Sequence, residues 1–240
     1  MSRAKRPGAG TERPAAHRTV WLFDLDNTLH NASFASLRDI NQRMSAYIVR
    51  ELGMAPADAD ALRTRYWRRY GATLLGLVRH HGVDAGHFLH DTHRLPGLEG
   101  RVHGHPHDLA ALKHLPGRRF ILTNAPRAYT ERVLGALGIG HWFDGVIAIE
   151  DMAMFGELRP KPDARMLRRL VARLKVPAQR CVLVEDTLEH QKAARGIGMR
   201  TVWMQRWSRA AVPAGVWAAH LARRPVYVGR RVASLRTLRR

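Results

Sequence analysis

Thr19-Val20-Trp21-Leu22-Phe23-Asp24-Leu25-Asp26-Asn27-Thr28-Leu29 begins with an apolar, β-branched and aromatic run and then delivers two acids spaced by one residue. A short run of this kind, with no polar residue on either face, predicts a strand buried on both sides of a parallel sheet. In open α/β sheets the ligand lies outside the carboxyl ends of the strands, which is where Asp24 and Asp26 fall. Two acids directly after a buried strand are costly unless a cation or a reaction needs them. A lone D-x-D can equally be a turn or a helix cap, so its meaning depends on the other strand ends.

Three later segments share the form: Arg119 to Thr123, Gly145 to Ile149 and Cys181 to Val184, each running into polar residues at its carboxyl end. Helical patterns lie between them, notably Tyr129 to Leu137, stopped by Gly138, and Asp163 to Leu174, ended before Pro177. Alternating strands and helices predict an α/β fold, a Rossmann-like open parallel sheet joined by right-handed crossovers. Residues 31–99 break the rhythm, with helical stretches at Leu37 to Leu52, Ala57 to Tyr70, Leu74 to His81 and Gly86 to His93 and no strand. The expected organisation is a basic, disordered tail at 1–17, an α/β core from 18–30 and 100–240, and an all-helical insertion at 31–99. After Trp207 one strand is expected at Pro225 to Val228.

Composition narrows the function. The 240 residues hold 40 Lys+Arg against 20 Asp+Glu, a net charge of +20. Much of the excess is terminal: residues 1–18 carry five bases and one acid, and residues 206–240 carry nine arginines and no acid. Of the 40 bases 35 are arginine, a bias that a genome's codon usage explains as readily as a selected surface. Such a field gives salt-sensitive, non-specific attraction to anions, small phosphorylated molecules included, and no sequence-specific nucleic-acid partner follows from it. A single cysteine gives no disulfide framework. No charged-then-apolar leader precedes a cleavage site, and no run reaches the ~18 apolar residues of a membrane span, so a cytoplasmic location without a membrane role is expected. Oligomeric state is left open.

The second strand ends in Thr123-Asn124, a hydroxyl and an amide suited to phosphoryl oxygens, though an ordinary turn reads the same way. Arg159-Pro160-Lys161-Pro162-Asp163 brackets a lysine with two prolines at the mouth of a helix. A cation there gains nothing from the helix dipole, which makes an anionic partner more plausible. The strand Cys181 to Val184 runs into Glu185-Asp186-Thr187, a second acidic pair.

Together these four strand or loop ends, in this order, resemble the haloacid dehalogenase superfamily of phosphohydrolases over about residues 19–205. The resemblance implies that Asp24 is a nucleophile forming an aspartyl-phosphate. It implies a Mg²⁺ ion held by the carboxylates of Asp24 and Asp186 and the backbone carbonyl of Asp26, with Glu185 close by. Asp26 would act as general acid and base, and its presence argues against a dehalogenase, since the metal-free dehalogenases of the superfamily lack the second acid. Thr123, the Asn124 backbone amide and Lys161 would bind the phosphoryl oxygens, and Thr28 would brace the nucleophile loop.

The insertion resembles the small helical cap of the superfamily, a lid that excludes water and contacts the leaving group. Within it Tyr66-Trp67-Arg68-Arg69-Tyr70-Gly71-Ala72-Thr73-Leu74-Leu75-Gly76-Leu77 is similar to the Y-W/Y-x-x-Y-G-x-T-L-x-G-L stretch of the pyrimidine 5′-nucleotidase branch, as are Asn27 and Ile40-Asn41-Gln42-Arg43-Met44. This implies hydrolysis of UMP- or CMP-like monophosphates, with Tyr70, Gly71 and Thr73 as specificity candidates. Tyr66 and Trp67 are expected to pack the cap against itself. The alternatives are the same chemistry on a sugar phosphate or phosphoglycolate, and, remotely, a nucleic-acid-associated protein acting through its arginine-rich ends. His103-Gly104-His105-Pro106-His107 has metal-like spacing, but no transition-metal site is expected there, since the superfamily binds its metal through oxygen.

Overall fold

The computed structural model describes residues 19–210 and 223–239, so the expected tail at 1–17 lies outside the described residues. Strand β1 (Val20–Phe23) is followed by α1 (Ala32–Ala35), α2 (Leu37–Leu52), α3 (Pro56–Tyr70), α4 (Thr73–His81) and α5 (Ala85–His93). The chain then runs through α6 (Pro106–Lys113), β2 (Arg118–Leu122), α7 (Arg127–Leu137), β3 (Gly145–Ile147) and a small antiparallel pair, β4 (Ala153–Met154) and β5 (Glu157–Leu158). It closes with α8 (Ala164–Leu174), β6 (Cys181–Glu185), α9 (Leu188–Gly196), β7 (Arg200–Met204), α10 (Arg206–Ala210) and β8 (Arg230–Val232).

Six strands form one parallel sheet in the order β3-β2-β1-β6-β7-β8. The fold is α/β and Rossmann-like. In central β1, Val20 and Leu22 enter one apolar layer with Leu183 and Leu170, while Trp21 and Phe23 enter the other with Val182 and Tyr129. This two-sided burial is what the unbroken apolar run encodes. The chain order reverses direction between β1 and β6, which opens the ligand crevice at their carboxyl ends.

The helices of the insertion match their expected positions to within a residue at either end. They bury a separate layer around Tyr47, Ile48, Leu62, Tyr66, Leu77 and Phe88. Tyr66 packs inside it, with its ring filling the space a Cβ on Gly76 would take, as expected. Trp67 does not, being 58% exposed; it sits on the solvent flank of α3, a helix too amphipathic to bury neighbouring positions. The strand expected at Pro225 to Val228 is a turn, with Val226 fully exposed, and the pairing falls instead on Arg230–Val232. An edge strand pairs on one side only and leaves Arg230 and Arg231 in solvent, so its sequence carries no apolar run. β7, for which the sequence reading gave no strand, pairs in register between β6 and β8.

Cys181 opens β6 fully buried, and burial pushes its thiol up from 9.0 to about 11. Its folded pKa lies above the unfolded value, so the contribution to stability is present below pH 9 and is lost as pH rises toward 11. The expected result is a urea midpoint that declines over that window by the equivalent of up to about 2 kcal/mol, a decline flattened in Cys181→Ala. In the folded protein at pH 8 an aromatic disulfide reagent should react only at the unfolding rate.

Candidate active site

The apolar core of β1 ends at Phe23, and the next residue, Asp24, is 6% exposed, with its amide bonded to the Val184 carbonyl of the neighbouring strand. Three residues on, Asn27 adopts a left-handed backbone (φ 55°), a conformation asparagine tolerates better than most residues, and its Oδ1 accepts from the Ser33 amide. That turn brings Asp26 over the crevice. Thr28 is buried and its amide donates to the Leu25 carbonyl, but its hydroxyl has no hydrogen-bond partner among the described residues.

From β6 come Glu185 and Asp186. One oxygen from each of Asp24, Glu185 and Asp186 lies within 4.8 Å of the others. Lys161 is 1% exposed and spans the cluster, donating from Nζ to Asp24 Oδ1 at 2.8 Å and to Glu185 Oε2 at 2.6 Å. The helix expected from Asp163 starts at Ala164, with Asp163 as its N-cap accepting from the amides of Arg165 and Met166. Lys161 stands two residues before that cap, with its ammonium turned into the acidic cluster. Its segment is pinned by Asn124, whose side chain donates to the Lys161 carbonyl and accepts from its amide, both at 2.9 Å. The Asn124 side chain is thereby committed, and its backbone amide is the group left for a ligand. Thr123 is buried and its Oγ1 accepts from the Ala125 amide, which leaves the hydroxyl proton to be donated.

The charges are unequal. Burial and the neighbouring Glu185 raise the Asp24 carboxyl to about 6 against the pull of Lys161. Burial, with Glu185 and Asp24 beside it, raises Asp186 well above the carboxylate range. For Glu185, burial is outweighed by Lys161 and His190, which hold it far below that range. Nδ1 of His190 lies 3.0 Å from Glu185 Oε2, off the direction of a hydrogen bond. Three clustered carboxyl groups face one ammonium, and the mutual repulsion that raises Asp24 and Asp186 is what a hard divalent cation on these oxygen atoms would relieve.

Asp26 stands apart from this cluster. Burial would raise its carboxyl, but hydrogen bonds from His30 and Tyr129 lower it. His30 Nε2 lies 2.9 Å from Oδ1, and the Tyr129 hydroxyl donates to the same oxygen at 2.8 Å. Burial and the charge of Asp26 keep the Tyr129 phenol well above 10, so it stays a donor. Ser36 Oγ lies 2.7 Å from the phenol oxygen. One oxygen of Asp26 is thus held twice. His30, Tyr129 and Ser208, whose hydroxyl donates to Asp186 Oδ2, are not among the residues expected from the sequence. His30 alone carried a signal, one turn past the acidic pair.

Of the specificity candidates, Gly71 ends α3 with φ 78°, and a Cβ there would stand 3.0 Å from the Pro162 ring, next to Lys161. The helix break of the insertion thus rests against the lysine loop. Tyr70 and Thr73 spend their hydroxyls within the insertion, on His80 Nε2 and on the Arg63 carbonyl respectively.

At the reversal point of the parallel sheet, an acid pair just after β1 and another at the end of β6 thus line one crevice, with a buried lysine between them. The profile of the haloacid dehalogenase-like hydrolases matches residues 19–198, and the chain belongs to that family. It is 27% identical over 161 residues to Phosphate metabolism protein 8 of Saccharomyces cerevisiae, a match covering 63% of this chain and 50% of that protein. The chain thus spans about half the length of this curated relative. Among solved structures it shares its fold with a HAD phosphatase from Thermococcus onnurineus (22% identity, TM-score 0.60, 92% of this chain and 96% of that one). It shares it also with CbbY from Rhodobacter sphaeroides in complex with phosphate (20% identity, TM-score 0.60, 92% and 96%). Among the described residues no helix is long and apolar enough to cross a membrane.

Proposed function

We propose that this hydrolase is a cytoplasmic, Mg²⁺-dependent phosphomonoesterase that works through an aspartyl-phosphate, and that it releases phosphate from pyrimidine nucleoside 5′-monophosphates such as UMP and CMP. The observation that carries the reaction is the pairing of two differently treated acids. Asp24 is clamped 2.8 Å from a buried ammonium, while Asp26 is held by two donors on one oxygen.

In this reading the Asp24 carboxylate attacks phosphorus and the bond to the leaving oxygen breaks. Asp26 gives that oxygen its proton, then takes one from the water that cleaves the aspartyl-phosphate, returning Asp24. Lys161, the Thr123 hydroxyl and the Asn124 amide bind the phosphoryl oxygens as charge redistributes. The Asp24 and Asp186 carboxylates and the Asp26 carbonyl would hold Mg²⁺ with Glu185 close by; when bound, the ion offsets the repulsion between carboxylate and phosphoryl group.

Residues 31–99 serve as the cap. The pyrimidine assignment is supported by the Tyr66 to Leu77 stretch and by the contact of Gly71 with the lysine loop. A sugar phosphate is the second reading, favoured by a shared fold with CbbY, one structure of which is described in complex with xylulose-(1,5)bisphosphate (19% identity, TM-score 0.60). Phosphate release measured across UMP, CMP, AMP, ribose 5-phosphate and phosphoglycolate separates the two. Release confined to UMP and CMP supports the first, and preference for the sugar phosphates or phosphoglycolate overturns it while leaving the chemistry in place.

Tyr129→Phe removes one of the two donors on Asp26. The expected loss in kcat is about tenfold, a fraction of what general acid–base catalysis supplies. The loss should be larger for an alkyl phosphate, whose leaving oxygen needs the proton, than for p-nitrophenyl phosphate, whose leaving group does not. Equal losses on both substrates would place Tyr129 outside proton transfer.

A further inference from the structure

At the amino end of the sheet, on the side away from the acidic site, lies a second concavity of about 230 Å³. Its floor is apolar, made by Trp21 of β1, Val182 of β6 and Leu238 of a short helical turn after β8 (Leu235–Arg239), all buried. Its rim is formed by Arg195 at the end of α9, Arg200 at the start of β7 and Arg230 at the start of β8. The register accounts for this gathering. Arg200 pairs with Val182 across the β6–β7 ladder and Arg230 with Val202 across β7–β8, so strand alternation turns both arginines to the face that carries Trp21.

No acid lines the concavity. None of the three arginines has an ion-pair or hydrogen-bond partner among the described residues, whereas Arg50, Arg101, Arg127, Arg132 and Arg206 are each paired with a carboxylate. Three solvent-exposed guanidinium groups without a partner among the described residues thus share one rim, where their donors are free to take an anion. The arginines along α3 differ: they flank an open surface where Asp60 already pairs with Arg63.

We propose that this pocket is a second anion site, separate from the acidic crevice, that takes the phosphate group of a small phosphorylated ligand. The planar donor forks of arginine suit phosphate oxygens, and the Trp21 floor admits a small organic remainder. Trp21 lies in β1 three residues before Asp24, which follows the strand, so the two sites are ~10 Å apart along the sheet.

The test is calorimetric titration of the full chain with inorganic pyrophosphate in EDTA, where metal-assisted binding in the crevice is suppressed. Arg200→Gln/Arg230→Gln should weaken binding by about tenfold or more, while Arg65→Gln/Arg68→Gln, the same charge change on α3, should leave it unaltered. Equal weakening in both pairs, or no binding by the unmodified protein, overturns the proposal, since either reduces the arginines to a general field. As a second readout on the unmodified chain, pyrophosphate should protect Arg195, Arg200 and Arg230 from phenylglyoxal, and labelling unchanged by pyrophosphate counts against the site. Parallel titrations with inorganic phosphate and ribose 5-phosphate distinguish a free anion from a phosphate ester as the natural occupant. None of these readouts requires turnover, so the site stands or falls independently of the proposed activity.

Discussion

Asp24→Asn should abolish phosphate release, by ~10⁴-fold or more, while leaving the metal-free protein as stable as before or more so. The first half follows from the proposed chemistry, since an amide is no nucleophile and no other carboxylate stands in its place. The second half follows from electrostatics. Burial and Glu185 raise the folded pKa of Asp24 from 3.8 to about 6. The folded state therefore binds more protons than the unfolded one between those values, and stability is lost as pH rises through the window. Above pH 6 the cost of the charge is fully present, and the asparagine removes it. Against this stands the lost charged hydrogen bond to Lys161, so the net expectation at pH 7.5 is a gain of about 0–2 kcal/mol. Thermal melts in EDTA check it. A variant that is both inactive and strongly destabilised would show that Asp24 holds the fold together and would remove the case for a strained nucleophile.

Lys161→Met should do the reverse to stability. It withdraws the ammonium from between Asp24 and Glu185, leaving clustered carboxylates at the end of a buried strand with their main counter-charge gone. Breaking one side of a buried ion pair costs about 3–5 kcal/mol. Millimolar Mg²⁺ should restore part of the melting temperature, because a cation replaces a cation. It should not restore the rate, for which a loss of about 10²–10³-fold is expected when a preorganised donor to the phosphoryl group is missing. Lys161→Arg should rescue neither fully, because a planar guanidinium does not fit a pocket closed around a point charge. An unchanged melting temperature for Lys161→Met in EDTA would contradict the reading of Lys161 as the pin of this cluster.

These effects involve residues whose types were legible in the sequence and whose arrangement was not. The strand ends at Asp24, Thr123 and Glu185 could be found because a strand buried on both faces must be apolar throughout, so the first polar residue marks its carboxyl end. The helices of the insertion could be found from their apolar spacing and the glycines that stop them, such as Gly53 and Gly82. Lys161 was visible as a lysine between prolines, but its direction was not. Asp163 is the residue that caps α8, and the two bonds from Asn124 turn the lysine inward. Tyr129 meets Asp26 across 103 residues of chain, a contact no local pattern encodes. Toward the far side of the sheet, β7 has only Val202, Trp203 and Met204 as apolar signal, a run too short to mark a strand by itself, and β8, the edge strand, has two arginines and a valine, since an edge needs no second apolar face.

The most direct test of the central claim, an aspartate-dependent phosphomonoesterase, is phosphate release from UMP, CMP and the other small phosphates with Mg²⁺. It is run with the unaltered protein, with Asp24→Asn, and with EDTA in place of the metal. Release is expected from the unaltered protein with Mg²⁺ alone, with loss in both other conditions. Release that persists in Asp24→Asn, or none from any phosphate under any condition, would contradict it.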